Sequence, residues 1–347
     1  MADRPIAAHS ERDPALEGLR AVAVLVVVAF HCRVPGFSGG FFGVDLFFVL
    51  SGFLITRLLV AEWAETNAIS LPRFYWNRLV RLSPPLILVL LVVGTLGIVP
   101  VRELAVAALY LGDIYFAASA EKSLVSHTWS LAVEEHYYLA WPLVLPFVMR
   151  SRNPARTVLA LYLAFTLWRT IAWQWAPGHA TYYRFDARLT GLLLGSALAL
   201  APLRLSPAIQ RMVAIFATLV LSLAIGASTI FTAQSMLVTQ PMVELAAAAI
   251  IHCIVQPDGA GRELLSARPL VYIGKLSYVI YLVHYPIAAT LRETHEWPVV
   301  LAVALGLSLL AAAAMRVAVE VPSRRFRSEA PARLVDAPAS AGHATRA

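Results

Sequence analysis

The stretch "LRAVAVLVVVAFHC", residues 19–32, is almost wholly apolar, yet it carries an ionisable side chain near each end. Ten uncharged residues separate Arg20 from His31. A bilayer core about 30 Å thick needs about 20 apolar residues for one helical span. Together with its neighbours the stretch has that length, and the sequence therefore predicts that residues 14–33 cross a membrane.

The composition of the whole chain is that of a membrane protein. Of its 347 residues, 59% are hydrophobic and 14% are charged, and the mean hydropathy is +0.70. Ordinary soluble domains are less apolar than this. The net charge of +7 is interpreted as a marker of topology rather than of nucleic-acid binding, because the basic residues cluster between apolar runs. Cys32 and Cys253 lie far apart and indicate neither a disulfide framework nor a metal site.

Apolar runs of spanning length recur along the chain, and they predict an all-α, polytopic fold of about ten transmembrane helices. The predicted spans are 14–33, 42–62, 80–99, 131–149, 156–175, 187–202, 211–231, 236–256, 273–292 and 298–319. The segment 103–117 is left out because it is short and carries Asp113. When this segment is counted as non-spanning, more arginines fall on the cytoplasmic side, as the positive-inside rule requires. Both termini are then expected on that side.

Three regions are predicted along the chain. Residues 1–13 form a cytoplasmic N-terminal segment, which lacks the layout of a cleavable secretory signal. Residues 14–319 form the membrane domain. Residues 320–347 are rich in Ala, Pro and Arg and are expected to form a disordered cytoplasmic tail.

Arg20 and His31 are predicted to share one face of the first helix. Eleven steps of about 100° come within about 20° of three full turns and rise about 16 Å. Ionisable groups inside a span usually face the protein interior or a water-filled cavity, so the shared face indicates one polar cavity. The alternative is that Arg20 reaches the inner head groups and His31 lies at the outer interface.

Asp45 lies near the outer end of the second span, at a depth similar to that of His31, because the two spans are antiparallel neighbours joined by a short loop. An aspartate in that position can orient a histidine base and stabilise its charged form. Alternatively, Asp45 complements the dipole at the N-terminus of its helix.

Two further pairs of charged residues stand at the ends of predicted spans. Arg78 and Arg81, three positions apart, suit a ligand that carries phosphate, or they only mark the cytoplasmic side. Glu134 and Glu135 point about 100° apart on a helix and can serve different partners, or they complement a helix dipole.

Ser277, Tyr281 and His284 share one face of a later span by their spacing. His284 is either a second functional histidine or a packing and hydrogen-bonding group. Pro286 favours the second interpretation. A proline interrupts helical hydrogen bonding, and polar side chains can then bond to the carbonyl groups that it leaves unpaired.

Seven segments together resemble the acyltransferase-3 family of integral membrane O-acyltransferases, which includes bacterial lipopolysaccharide and exopolysaccharide O-acetylases. They are "LEGLRAVAVLVVVAFH" (16–31), "GGFFGVDLFFVLSGFLIT" (39–56), "FYWNRLVRLSPP" (74–85), "HTWSLAVEEHYYLAWP" (127–142), "YRFDARLTGLLLGSALA" (183–199), "LSYVIYLVHYPI" (276–287) and "VEVPSRRF" (319–326). The resemblance covers nearly the whole chain. It implies a multi-pass protein of the bacterial inner (plasma) membrane.

The resemblance also implies roles for single residues. The family signature of a basic residue, ten residues and a histidine falls on Arg20 and His31, so that His31 is the essential residue of acyl transfer and Arg20 belongs to the same site. Arg78 and Arg81 match the basic motif on the acyl-donor side.

Glu134 and Glu135 match the family's acidic pair. In the family a glutamine usually follows this pair, whereas His136 stands there in this chain.

The function expected is transfer of an acyl group, most simply acetyl, from cytoplasmic acyl-CoA to a hydroxyl of a carbohydrate or glycosylated acceptor. His31 would be the general base, Asp45 would hold its tautomer, and the acidic pair would orient the acceptor or the cations of the site. Arg20, Arg78 and Arg81 would bind the phosphates of the donor. The alternative to direct transfer is a relay through a covalent acyl-histidine.

The expected partners are acyl-CoA as co-substrate, the acceptor and the lipid bilayer, with no nucleic acid, bound cofactor or metal. The alternative function is a secondary transporter or a flippase for lipid-linked sugars, in which buried charges form a translocation path.

Overall fold

The computed structural model describes residues 13–119, 123–201, 203–256, 258–323 and 326. Every regular element in these ranges is helical, which confirms the all-α prediction. The helices are α1 (Pro14–His31), α2 (Gly43–Thr66), α3 (Leu71–Thr95), α4 (Val101–Ala108), α5 (Gly112–Ala118), α6 (Trp129–Met149), α7 (Pro154–Trp175), α8 (His179–Tyr183), α9 (Phe185–Leu200), α10 (Pro207–Ala227), α11 (Gln240–Val255), α12 (Arg262–Leu265), α13 (Arg268–Leu291), α14 (Trp297–Met315) and α15 (Val321–Ser323). A π-helical turn, Gln234–Thr239, precedes α11, and another, Arg316–Glu320, follows α14.

Each predicted span overlaps one long helix of the described chain. Among the described residues, seven helical segments are long and apolar enough to cross a membrane, namely those built on α1, α2, α3, α10, α11, α13 and α14. The chain is thus a multi-pass membrane protein by length and composition, while the count of about ten spans stays a prediction. The segment 103–117 forms α4 and α5, of 8 and 7 residues, and neither is long enough to cross a bilayer core.

The helices differ in how much of their surface is covered by protein. In the most apolar 18-residue stretch of α1 and of α2, 61% of the residues are buried, against 22% in α10 and in α14. A helix that is apolar on all sides and still exposed suits a lipid surface. We therefore place α1 and α2 at the centre of the bundle and α10 and α14 at its periphery.

Two glycines allow the central helices to approach closely. A Cβ atom added to Gly274 of α13 would lie 1.8 Å from the carbonyl oxygen of Glu17 in α1. A Cβ added to Gly52 of α2 would lie 1.9 Å from the carbonyl oxygen of Leu192 in α9. Small residues at such contacts let helix backbones pack together in membranes. The two contacts hold α13 close to α1 and α9 close to α2.

The helices α1 and α13 run in the same direction. Arg20 of α1 contacts Ser277 of α13, and His31, later in α1, contacts His284, later in α13. The start of α1 is fixed by Asp13, whose carboxylate accepts a hydrogen bond from the Ala15 amide and pairs with Arg262. We call the two ends of the bundle the Asp13 end and the His31 end.

The regions predicted at the two termini lie mostly outside the described residues. Of the N-terminal segment 1–13 only Asp13 is described, and of the tail 320–347 only 320–323 and 326 are described.

Candidate active site

One cavity of about 670 Å³ opens among α1, α2, α3, α6 and α13. Six of the ten predicted site residues line it: Arg20, Arg78, Arg81, Glu134, Ser277 and Tyr281. These residues come from four helices that are distant in sequence. The fold therefore brings together the residues predicted to bind the donor and one of the two predicted acidic residues.

Arg20 projects into this cavity from α1. Its Nε donates a hydrogen bond to Ser277 Oγ at 3.3 Å and lies 3.8 Å from the Glu17 carboxylate. The guanidinium also lies 6.0 Å from the centroid of the Phe47 ring. Arg20 thus contacts protein groups of three helices within the cavity.

Glu134 is held by two hydroxyl groups. Ser51 donates to one carboxylate oxygen at 2.9 Å, and Tyr138 donates to the other at 3.3 Å. The Arg78 guanidinium lies over the Tyr138 ring, 4.7 Å from the ring centroid. The predicted acidic and basic residues are therefore coupled through Tyr138, and Ser51 also contacts the acidic residue.

Glu135 does not line the cavity, in agreement with the 100° divergence of adjacent helical residues. The Arg78 guanidinium acts electrostatically on Glu134 and on Glu135. The neighbour His136 pairs with Asp113 at 3.2 Å, from Nδ1 to the carboxylate. The three consecutive residues thus have different surroundings.

Two further cations, Lys275 and Arg316, join Arg81 in the cavity lining. In the described part of the chain, neither Arg81 nor Lys275 forms a hydrogen bond or an ion pair. Sequence analysis missed Lys275, although a lysine between apolar residues of "YIGKLSYVI" (272–280) was a usable signal. Arg316 follows α14, and its surroundings in the sequence offered no comparable signal.

At the His31 end two histidines from different helices contact each other. Nδ1 of His31 lies 2.9 Å from Nε2 of His284, and Nδ1 of His284 lies 3.0 Å from the carbonyl oxygen of Ile280. His31 is half-buried, and His284 is fully buried. Tyr285 meets the His31 ring edge-on, with the ring centroids 4.7 Å apart.

Tyr281 lies between the cavity and these histidines. Tyr281 lines the cavity, its hydroxyl lies 2.6 Å from Ser130 Oγ, and its ring centroid lies 5.5 Å from that of His284. Its hydroxyl also donates to the carbonyl oxygen of His127 at 2.9 Å. His31 itself does not line the cavity, so the single cavity expected between Arg20 and His31 is replaced by a cavity and an adjoining histidine pair.

The expected contact between Asp45 and His31 is wrong. Asp45 is fully buried, and its carboxylate accepts a hydrogen bond from Arg188 at 3.0 Å. Arg188 also donates to Gln240 at 2.7 Å, and Gln240 donates to Glu244 at 2.8 Å. A buried carboxylate is most stable beside a cation, and α9 presents one to Asp45, whereas the partner of His31 is another histidine.

Residues 13–317 match the family described as the acyltransferase domain, acyltransferase-3. O-acetyltransferase OatA of Staphylococcus aureus is 32% identical over 305 residues, which cover 79% of this chain and 50% of that protein. Peptidoglycan O-acetyltransferase OatA of Listeria monocytogenes is 34% identical over 306 residues, 79% of this chain and 49% of that protein.

The chain spans about half the length of these curated relatives. No solved structure matches it significantly. The family match covers most of the chain, including every helix that lines the cavity and both histidines of the pair. The chain therefore belongs to the acyltransferase-3 family.

Proposed function

We propose that this protein is a membrane O-acyltransferase that moves an acyl group, most simply acetyl, from acyl-CoA to a hydroxyl of a cell-wall polysaccharide. The family supports acyl transfer. The acceptor class is supported by relatives named as O-acetyltransferases, one of them for peptidoglycan. The single observation that carries the proposal is the cavity in which the predicted donor-binding arginines meet.

The charges of the cavity support an anionic donor. Its lining contains five cationic side chains and three carboxylates: Arg20, Arg78, Arg81, Lys275 and Arg316 against Asp13, Glu17 and Glu134. Guanidinium groups bind phosphate through paired hydrogen bonds, and an ammonium adds a point charge. Acyl-CoA carries several phosphates, and we assign them to the Asp13 end of the cavity, where Arg81 and Lys275 have no other partner in the described chain.

In the proposed reaction the acceptor oxygen attacks the thioester carbonyl carbon. An oxygen–carbon bond forms and the carbon–sulfur bond breaks. The hydroxyl proton passes to His31, because a hydroxyl is a weak nucleophile at neutral pH and needs a base of suitable pKa. The CoA thiolate then takes up the proton from His31, which regenerates the enzyme.

The remaining predicted site residues support these steps. Glu134, fixed by Ser51 and Tyr138, is positioned to orient the acceptor or the Arg78 guanidinium. Glu135 interacts electrostatically with Arg78. We place the Asp13 end in the cytoplasm, where acyl-CoA is made, and the His31 end on the opposite side of the membrane.

The test is to incubate vesicles that contain the purified protein with acetyl-CoA labelled in the acetyl group and with peptidoglycan fragments. We expect free CoA thiol to appear together with an alkali-labile label on the glycan. A parallel incubation with labelled acetate in place of acetyl-CoA should give no transfer. Transport of the intact fragments across the vesicle membrane, with no acetylation, would contradict the proposal and favour a flippase.

A further inference from the structure

We infer that His284 is a positioning residue that holds His31 in the tautomer with its proton on Nδ1, so that Nε2 of His31 is the proton-accepting atom. This inference deepens the proposed function and rests on it. Two hydrogen bonds carry it, one between His31 Nδ1 and His284 Nε2 and one between His284 Nδ1 and the Ile280 carbonyl oxygen.

The Ile280 carbonyl determines which nitrogen of His284 carries the proton. A carbonyl oxygen accepts hydrogen bonds and cannot donate them, so Nδ1 of His284 carries a proton. A neutral imidazole has one N–H, and its other nitrogen is an acceptor. Nε2 of neutral His284 is therefore an acceptor, and the atom that faces it, Nδ1 of His31, is the donor.

The surroundings of His284 favour its neutral form. Its side chain is fully buried, and no carboxylate in the described chain forms an ion pair with it. The groups around it are the rings of His31, His127, Tyr281 and Tyr285, at centroid distances of 5.1 to 6.4 Å. A buried charge without a counter-charge is unfavourable.

The opposite arrangement is disfavoured by the same geometry. If His31 carried its proton on Nε2, Nδ1 would have to accept from Nε2 of His284. Neutral His284 would then turn an unprotonated Nδ1 toward the Ile280 carbonyl, and two lone pairs would face each other at 3.0 Å. The backbone of α13 therefore sets the tautomer of His284, and His284 sets the tautomer of His31.

The consequence concerns the direction of proton transfer. With Nδ1–H bonded to His284, Nε2 of His31 has a lone pair available for the proton of the attacking hydroxyl. In serine hydrolases a carboxylate orients the catalytic histidine in the same way. Here a neutral imidazole takes that place. The histidine pair returns to its starting charge when Nε2 of His31 passes its proton to the CoA thiolate.

The direct test is the tautomer of His31 measured by ¹⁵N nuclear magnetic resonance on the histidine-labelled protein in lipid, with His31 assigned by comparison with His31→Gln. We expect Nδ1 to be protonated and Nε2 to be unprotonated. In His284→Leu we expect a mixture of both tautomers. Protonation of Nε2 in the unaltered protein, or an unchanged tautomer in His284→Leu, would overturn the inference.

Two amide variants provide the kinetic test. His284→Gln can place its amide oxygen near the position of Nε2 and accept from His31, whereas His284→Asn is one carbon shorter and does not reach it. We expect His284→Gln to keep kcat within about tenfold and His284→Asn to lose about 10²-fold or more, with KM for acyl-CoA unchanged in both. Equal kcat in the two variants would contradict a positioning role.

His127 supplies a matched control. It is a buried histidine 5.9 Å from His284 between ring centroids, but its Nε2 is bonded to the Leu282 carbonyl oxygen and not to His31. His127→Leu should leave the His31 tautomer unchanged. If the unaltered protein transfers no acetyl group, the proposed function fails, whereas the resonance measurement still decides whether His284 sets the tautomer.

Discussion

Arg78 and Arg81 are the residues through which the donor assignment is tested most easily. Both line the cavity, and Arg78 also stacks on Tyr138. Phosphate contacts bind the ground state and the transition state alike, so their loss raises KM more than it lowers kcat. We expect the double variant Arg78→Gln/Arg81→Gln to raise KM for acetyl-CoA by about tenfold or more.

Lysine replacements separate charge from geometry at the same two positions. An ammonium retains the charge but lacks the paired N–H groups of guanidinium. Arg78→Lys/Arg81→Lys should therefore restore KM only in part. A correctly inserted double glutamine variant with normal dependence on acetyl-CoA would show that both arginines only mark topology.

Asp45 belongs to a buried charge network rather than to the proposed reaction. Removing one member of a buried ion pair leaves the other charge uncompensated and costs about 3–5 kcal/mol. We expect Asp45→Ala to lower the thermal midpoint in detergent strongly. The double variant Asp45→Ala/Arg188→Leu should recover part of that stability, and an unchanged midpoint in Asp45→Ala would contradict the assignment.

At the scale of helices, hydropathy predicted the positions of the elements but not their starts. The third span was predicted from residue 80, whereas α3 begins at Leu71 and includes Arg78. The ninth was predicted from residue 273, whereas α13 begins at Arg268. Helical hydrogen bonding continues past the apolar stretch, because polar side chains at the interface do not interrupt it. A hydropathy window detects only the apolar part of such a helix.

Two glycines offer a matched test of helix packing. Gly274 meets the Glu17 carbonyl of α1, whereas a Cβ at Gly306 of α14 would have no atom within 4 Å. We expect Gly274→Ala to separate α1 from α13 and to lower both the thermal midpoint and the transfer rate. Gly306→Ala should be neutral or stabilising, since alanine favours a helix by about 1 kcal/mol over glycine. Equal stability of the two variants would contradict the close contact.

For the whole molecule, the sequence predicted much of the cavity lining but not the partners of His31 and Asp45. Arg20, Arg78 and Glu134 lie in recognisable motifs, and the bundle brings them together. His284 is 253 positions from His31, and Arg188 is 143 positions from Asp45. Such pairings depend on how whole helices pack, and spacing within one helix carries no information about them.

The orientation of the molecule gives a further prediction. The parallel course of α1 and α13 agrees with the ten-span map, in which they are spans one and nine. Both native cysteines are buried, so single exposed cysteines can be labelled selectively. We expect a membrane-impermeant thiol reagent to label Glu296→Cys from outside the cell and Asp258→Cys only after the membrane is opened. Labelling of Asp258→Cys in intact cells would reverse the map.

In the proposed reaction His31 acts as the base of acyl transfer, and one comparison tests this role most directly. The rate of acetyl transfer from labelled acetyl-CoA is measured for His31→Gln and for His252→Gln, a buried histidine of α11 outside the proposed site, in vesicles with equal amounts of inserted protein. Loss of a general base costs about 10² to 10⁴ in rate. We predict a loss of that size for His31→Gln with nearly full activity in His252→Gln, whereas wild-type transfer by well-inserted His31→Gln would contradict the account.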